Sequence, residues 1–413
     1  MDRVFITGLG AITPLGGNVA ATWSAMLAGK SGVAQLTDSW VDDLPVSIAA
    51  TAATDPASVL QRPELRHMDR CEQFAMIAAR QAWQDAGAPQ VEPERLGVSI
   101  STGVGGFGSL LDGYDTMREK GWRRVSPYLV PKLMVNGAAA WVAIELGARA
   151  GAHTTVSACA SGAEAIAYGI QMIRRGEADL VVAGGCEAPI RPLTFAAFAV
   201  IRALSARNDE PECASRPFDR SRDGFVLGEG AGAVVLESAR HASRRGAVVY
   251  AVAAGLGYSA DAHQVVQVEP DGAGPAHAIE RALADAGAGP EQVAHINAHA
   301  TSTPVGDSAE ARAIRRAMGS AADGLIVSAT KSMTGHLFGA AGAVESIAAI
   351  CALRDGVAPP TINLEDPDEE VIAAGIEVAA EPRELRSGPG PVVVLNNSFG
   401  FGGHNVALAF TAA

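Results

Sequence analysis

The order of landmarks along this chain predicts an α/β protein: a five-layered α/β/α/β/α sandwich built from two duplicated halves. Two observations carry that reading. Four landmarks recur once in the same order, and several predicted strands are apolar throughout. A strand with one wet face alternates apolar and polar residues, whereas a continuous apolar run is covered on both faces. An ordered internal repeat signals a duplicated supersecondary unit.

The first landmark is a strand ending in Gly-Leu-Gly, at Val4–Gly10 and again at Val252–Gly257. Met1-Asp2-Arg3 leads straight into it, so no targeting segment is expected. The second is a helix ending in Asp-Ala-Gly-Ala, at Asp85–Ala88 and Asp285–Ala288, each followed by an apolar strand, Gly97–Ser101 and Val293–Ala298. The third is a strand, a tight small-residue turn and an Ala-rich helix. It runs through Thr154–Gly162 and again from Leu325 through His336 to Ile347. The fourth is a buried strand followed by glycines, Asp179–Gly185 and Val392–Asn397. The break falls near Arg244–Val249, giving halves 1–248 and 249–413; without a long linker they are expected to share one core.

Composition narrows the function. With 413 residues and 48% hydrophobic content the chain can bury a large core, and 46 glycines suit close backbone approaches. A net charge of −13 argues against nonspecific nucleic-acid or anionic-membrane binding. No apolar run reaches the length of a membrane helix; Ala138–Ala143 and Ile347–Leu353 read as buried helices. The cysteines at 71, 159, 186, 213 and 351 are odd in number and widely spaced. Neither a disulfide framework nor a zinc site is expected, and a reducing cytoplasmic compartment is the default.

Cys159 lies between a β-rich run and an amphipathic helix, Ala160–Ile173, closed by Gly176. A thiol facing a helix N-terminus meets unpaired N–H groups that favour a thiolate. Ser161 and Gly162 keep its surroundings small. His299 follows the apolar strand Val293–Ala298 and opens a polar, turn-rich stretch, and His336 sits within Thr330–Gly342, which also follows a strand of the second half. Either histidine alone is more often structural. With the halves packed by pseudo-twofold symmetry, these strand ends converge with Cys159, and a thiol beside two imidazoles can carry and activate acyl groups. After the last strand, Asn396–Asn405 holds three glycines, whose backbone N–H groups can approach a ligand oxygen, and Phe401 as a candidate gate.

Two patterns mislead. Gly103–Gly108 fits Gly-x-Gly-x-x-Gly after a strand, yet Trp122–Val125 stands where a ribose-binding acid belongs. Ala28-Gly29-Lys30-Ser31 ends like a phosphate loop, but Ser24 replaces its leading glycine. No metal-ligand cluster is evident, so no metal or bound cofactor is expected.

Val156–Gly162, Asn297–Asp307, Lys331–His336 and Asn397–Gly403, with Ser205–Asp209 and Arg216–Gly230, resemble the β-ketoacyl-[acyl-carrier-protein] synthases, most closely the synthase II type of actinobacteria. The resemblance spans essentially the whole chain. It implies the thiolase fold, a homodimer, and decarboxylative condensation of malonyl with acyl groups, both delivered on the phosphopantetheine of an acyl carrier protein. Carried over residue by residue, Cys159 would hold the acyl chain, and the N–H groups of Cys159 and Phe401 would form the oxyanion hole. His299 and His336 would bind the malonyl thioester and promote decarboxylation. Lys331, grouped with the catalytic residues, would support them, as would Glu345, grouped with substrate binding. Thr301 and Thr303 would line the pantetheine channel, Phe399 would contact substrate, Phe401 would gate, and Val104 and Phe198 would shape the acyl tunnel. Because the carrier protein is acidic, Arg66, Arg123, Arg124 and Arg202 are docking candidates. The chain departs from the family at Ala300, at His404-Asn405, and at Gln264 and Val266 beside the malonyl entrance. A type II polyketide ketosynthase shares every motif; a non-catalytic chain-length factor would lack Cys159, and a thiolase would carry a second, late cysteine in a motif.

Overall fold

The computed structural model describes residues 3–386 and 390–413; Met1 and Asp2 of the N-terminal reading lie outside them. Eleven strands share one hydrogen-bonded order. They are β1 (Val4–Ile12), β2 (Leu96–Ser101), β3 (Gly151–His153), β4 (Leu180–Glu187), β5 (Gly230–Ser238), β6 (Ala251–Ala260), β7 (Val293–Asn297), β8 (Ile326–Ser328), β9 (Glu377–Val378), β10 (Val393–Gly400) and β11 (His404–Thr411). Across the sheet they run β9-β8-β7-β10-β11-β6-β1-β5-β4-β2-β3.

Read outward from the centre, the orders β1-β5-β4-β2-β3 and β6-β11-β10-β7-β8 repeat one another. In each, two antiparallel pairings are followed by two parallel ones. The halves join where β1 meets β6 through only Phe5↔Val252 and Ile6↔Ala251.

The helices supply the other layers. Helices α1 (Arg70–Asp85), α2 (Gly137–Leu146), α3 (Ser161–Arg174), α4 (Ala273–Ala286), α5 (Pro304–Met318) and α6 (Ala341–Asp355) carry most of the packing. Side chains alternate across each strand. Val181 and Ala183 face a cluster with α3 and α6, while Leu180 and Val182 face α1 and α2. In the second half Val394, Leu408 and Phe410 join the α3–α6 cluster, while Leu395, Ala407 and Ala409 face α4 and α5. The central pair α3–α6 therefore lies between the half-sheets, completing five layers. Residues Ala341–Ala352 of α6 are all buried, as a helix in the middle layer must be.

The first two landmarks prove to be one interaction, built twice. The Asp85 carboxylate accepts the N–H of Leu9 at 2.9 Å, and Asp285 accepts that of Leu256 at 3.0 Å. The glycines flanking each leucine let the helix lie on the strand. A Cβ on Gly10 would sit 2.0 Å from the Ala78 carbonyl oxygen, and one on Gly257 2.0 Å from that of Ala278.

One strand differs from expectation. Residues 154–157 do not extend the ladder; the sheet ends at His153. Side chains take over the backbone partners, with Thr155 N–H donating to Ser101 Oγ at 3.0 Å and Ser157 N–H to Ser161 Oγ at 3.0 Å. That releases the chain to turn toward the middle layer, where Cys159 sits.

Candidate active site

Cys159 occupies a single 3₁₀ turn, Ala158–Ala160, that feeds α3. Ala158 has φ +51°, unusual for a residue with a side chain. Ser161 Oγ pins it by donating to its carbonyl at 2.7 Å. Gly400, ending β10, lies flat on this turn: a Cβ there would be 2.4 Å from the Ser157 oxygen. The β10–β11 connection thus brings the Phe401 N–H to the sulfur.

The expectation of a resting thiolate does not hold. Burial pushes the Cys159 thiol up to about 11, outweighing the Phe401 N–H and the Lys331 charge that oppose it. Desolvation of a buried sulfur exceeds what a turn's N–H groups return. The resting group is a thiol with donors already aimed at it.

His299 leaves β7 with its backbone fixed. Its N–H and that of Ala300 donate to the two oxygens of Glu310 at 2.9 and 2.7 Å, and Asn397 Nδ2 reaches the same carboxylate at 3.1 Å. Lys331 Nζ lies 3.3 Å from His299 Nδ1 and 2.5 Å from Glu345 Oε1. An ammonium has only donors, so Nδ1 accepts and the ring proton sits on Nε2. His336 N–H donates to Val226 O at 2.7 Å, while neither of its ring nitrogens has a partner among the described residues. The two imidazole centroids are 5.5 Å apart. Burial, and then the Lys331 charge, hold both rings far below the usual histidine range, so both are neutral donors.

The loop after His299 is braced from the first half. Arg222 donates to Thr303 O at 3.2 Å and Pro304 O at 2.8 Å, and its Nε lies 3.4 Å from the buried Asp307 carboxylate. This is the structural role of the Arg216–Gly230 stretch. Thr301 and Thr303 hydroxyls lie 3.1 Å apart.

Cys159, His299 and His336 line one mainly apolar cavity of about 810 Å³. Thr301, Thr303, Phe399 and Phe401 share its wall, as do Val104, Phe198 and Arg202. Phe338 stacks on Phe198 with centroids 5.3 Å apart and packs against His336 at 4.9 Å. Phe401 is 38% exposed, as a residue at a mouth would be. Val266 and Gln267 also reach the wall, whereas Gln264 spends its Oε1 on the Gln267 N–H at 2.9 Å. Glu345 is misplaced among substrate-binding residues. It is buried behind Lys331 and reaches the site only through that ion pair; Lys331 likewise stands behind His299 and off the wall. Arg66, Arg123 and Arg124 are exposed away from the cavity.

Sequence reasoning missed Glu310, Phe225, Phe338 and Glu187. Their roles depend on contacts between distant segments, and no local spacing announces them. The Gly103–Gly108 decoy is settled by one of these: Gly103 and Val104 N–H groups point at the Glu187 carboxylate, at 2.7 and 3.4 Å, which leaves them unavailable to a phosphate. Among the described residues no group of His, Cys, Asp and Glu is placed to hold a metal. No described helix is long and apolar enough to cross a membrane.

A buried thiol with N–H donors, facing two neutral imidazoles across an apolar cavity, can hold an acyl group and stabilise negative oxygen. Known proteins agree. Residues 1–242 match the family "Beta-ketoacyl synthase, N-terminal domain", and 250–365 match "Beta-ketoacyl synthase, C-terminal domain". The 3-oxoacyl-[acyl-carrier-protein] synthase 2 of Coxiella burnetii is 45% identical over 99% of this chain and 98% of its own. That of Mycobacterium tuberculosis is 46% identical over 98% and 96%. A β-ketoacyl synthase from Burkholderia phymatum superposes with a TM-score of 0.91 at 33% identity, covering all of both chains. A ketosynthase solved with its type II polyketide acyl-carrier protein and a bound hexaketide gives 0.88 at 31%, again over both whole chains. Site, fold and sequence converge: the chain belongs to the β-ketoacyl synthase family, with its thiolase-like fold.

Proposed function

We propose that the chain is a 3-oxoacyl-[acyl-carrier-protein] synthase that lengthens fatty acyl chains by decarboxylative condensation. The Cys159 sulfur attacks the thioester of an acyl carrier, and the tetrahedral oxyanion takes the N–H groups of Cys159 and Phe401. The carrier thiol departs with the cysteine proton. A malonyl thioester then places its carbonyl oxygen between His299 and His336. Carbon dioxide leaves, and the imidazoles hold the enolate oxygen. Its carbon attacks the acyl-cysteine carbonyl and expels the Cys159 sulfur, so the carrier leaves with a 3-oxoacyl group two carbons longer. The observation that carries this reading is His336: a buried ring, both nitrogens unpartnered, on the same cavity as the sulfur.

The chain needs no resident cofactor in this scheme, because the pantetheine arm arrives with the carrier and passes the Thr301–Thr303 pair. An acidic acyl carrier protein docks on Arg202 at the cavity and on Arg66, Arg123 and Arg124, local positive charge on a protein of net −13. The sheet ends in the unpaired edge of β3, near exposed Ile144 and Val156, and this edge supports assembly as a homodimer. The expected compartment is the cytoplasm.

A polyketide ketosynthase is the second reading, favoured by the whole-chain likeness to such enzymes. Incubation with malonyl carrier and saturated acyl carriers of graded length, read by intact-protein mass spectrometry, decides. Saturated acyl adducts on Cys159 that turn over to single two-carbon extensions support fatty-acid elongation. Loading only of poly-oxo chains, or no adduct at all, overturns it.

A further inference from the structure

The turn that carries Cys159 has a twin. Phe338–Ala340 is also one 3₁₀ turn, it feeds α6 as Ala158–Ala160 feeds α3, and its first residue has φ +45° against +51° at Ala158. Gly339 therefore stands where the duplicated half has the nucleophile. On the cysteine side the last residue of β10, Gly400, presses on the turn and leaves the N–H groups at the sulfur for substrate. On the twin side the last residue of β4 is Glu187.

The Glu187 carboxylate fills that second position. Oε2 accepts the N–H groups of Gly339 at 2.9 Å and Gly103 at 2.7 Å, and Oε1 accepts Thr102 Oγ1 at 2.6 Å. The side chain is fully buried, yet it contributes to the cavity wall. Three segments meet on it: the end of β4, the exit of β2 leading to Val104, and the turn of Phe338. A Cβ on Gly339 would lie 2.4 Å from Gly103 N and 2.7 Å from Glu187 Oε2, so glycine is required for the three to close together.

We propose that Glu187 is a positioning residue: its carboxyl group is seated in the twin of the oxyanion hole, and it fixes Phe338 and Val104 as the wall against which the acyl chain on Cys159 lies. The inference rests on the acyl-carrying role proposed for Cys159. The seat itself does not, because it is defined by four donors around one carboxylate.

The test uses the full-length chain with Glu187→Gln and Glu187→Ala. In Glu187→Gln an amide NH₂ replaces one acceptor and faces N–H donors. Acyl-carrier KM is expected to rise about tenfold, with kcat at saturation falling less than about threefold, and the chain-length preference should broaden. In Glu187→Ala the donors stand empty. Added acetate should raise its Tm and lower its acyl KM, whereas chloride at equal ionic strength should do neither, and the wild type should not respond. Wild-type KM and chain-length profile in Glu187→Gln, or no acetate-specific response in Glu187→Ala, would overturn the proposal. If the wild type fails to condense any acyl carrier, the functional reading fails, and the acetate-dependent Tm of Glu187→Ala still decides whether the seat exists.

Discussion

In the proposed mechanism three side chains carry the chemistry, and their surroundings fix what each contributes. Burial keeps Cys159 protonated until substrate displaces water and the N–H groups take the oxyanion. Its alkylation by iodoacetamide is expected to climb log-linearly toward pH 11, whereas an exposed thiol levels off near about 8.5. A plateau below pH 9 would show a preformed thiolate. Cys159→Ala should abolish acyl loading by intact mass, while Cys159→Gln should still release carbon dioxide from malonyl carrier because both imidazoles remain. Lys331 acts through His299, so its loss has two separable effects. Lys331→Met strands the buried Glu345 carboxylate, which burial already pushes up to about 7, and should cost about 3 kcal/mol in chemical denaturation. Adding Glu345→Leu should restore stability but not decarboxylation, since Nδ1 of His299 still lacks its donor. Recovery of both together would assign Lys331 a purely structural role. The motifs made Cys159, His299, His336 and Lys331 legible in the sequence. Glu310 and Glu187 were not, because a carboxylate's value here lies in which distant N–H groups it gathers.

At the scale of elements, the repeat was visible before its cause. Gly-Leu-Gly and Asp-Ala-Gly-Ala read as separate landmarks, yet the aspartate binds the N–H of that leucine in both halves. Gly10→Ala and Gly257→Ala should therefore each destabilise by about 3 kcal/mol in denaturant titration, because each methyl would meet a helix carbonyl at 2.0 Å. A loss under about 1 kcal/mol at either would mean that helix is free to retreat. The misread strand at 154–157 has the opposite lesson. Its Thr and Val residues favour strand locally, but side-chain hydroxyls of Ser101 and Ser161 capture its N–H groups. The departure from the sheet delivers Cys159 to the head of α3.

Over the whole molecule, duplication followed by divergence explains why one site exists instead of two. The first half keeps the sulfur, the second keeps both imidazoles, and the middle layer α3–α6 holds the two turns side by side. The layer order was readable from uniformly apolar strands. The continuous order through β1 and β6 was not, since it rests on two residue pairs with no sequence signature. The most direct test of this shared site is a chase. The enzyme is loaded with a saturated acyl carrier and then given malonyl carrier, with the mass on Cys159 and carbon dioxide followed together. Wild type should lose the adduct as carbon dioxide and 3-oxoacyl carrier appear, while His336→Ala should keep its adduct and release little carbon dioxide. An adduct on another residue, or one discharged by His336→Ala at the wild-type rate, would contradict the account.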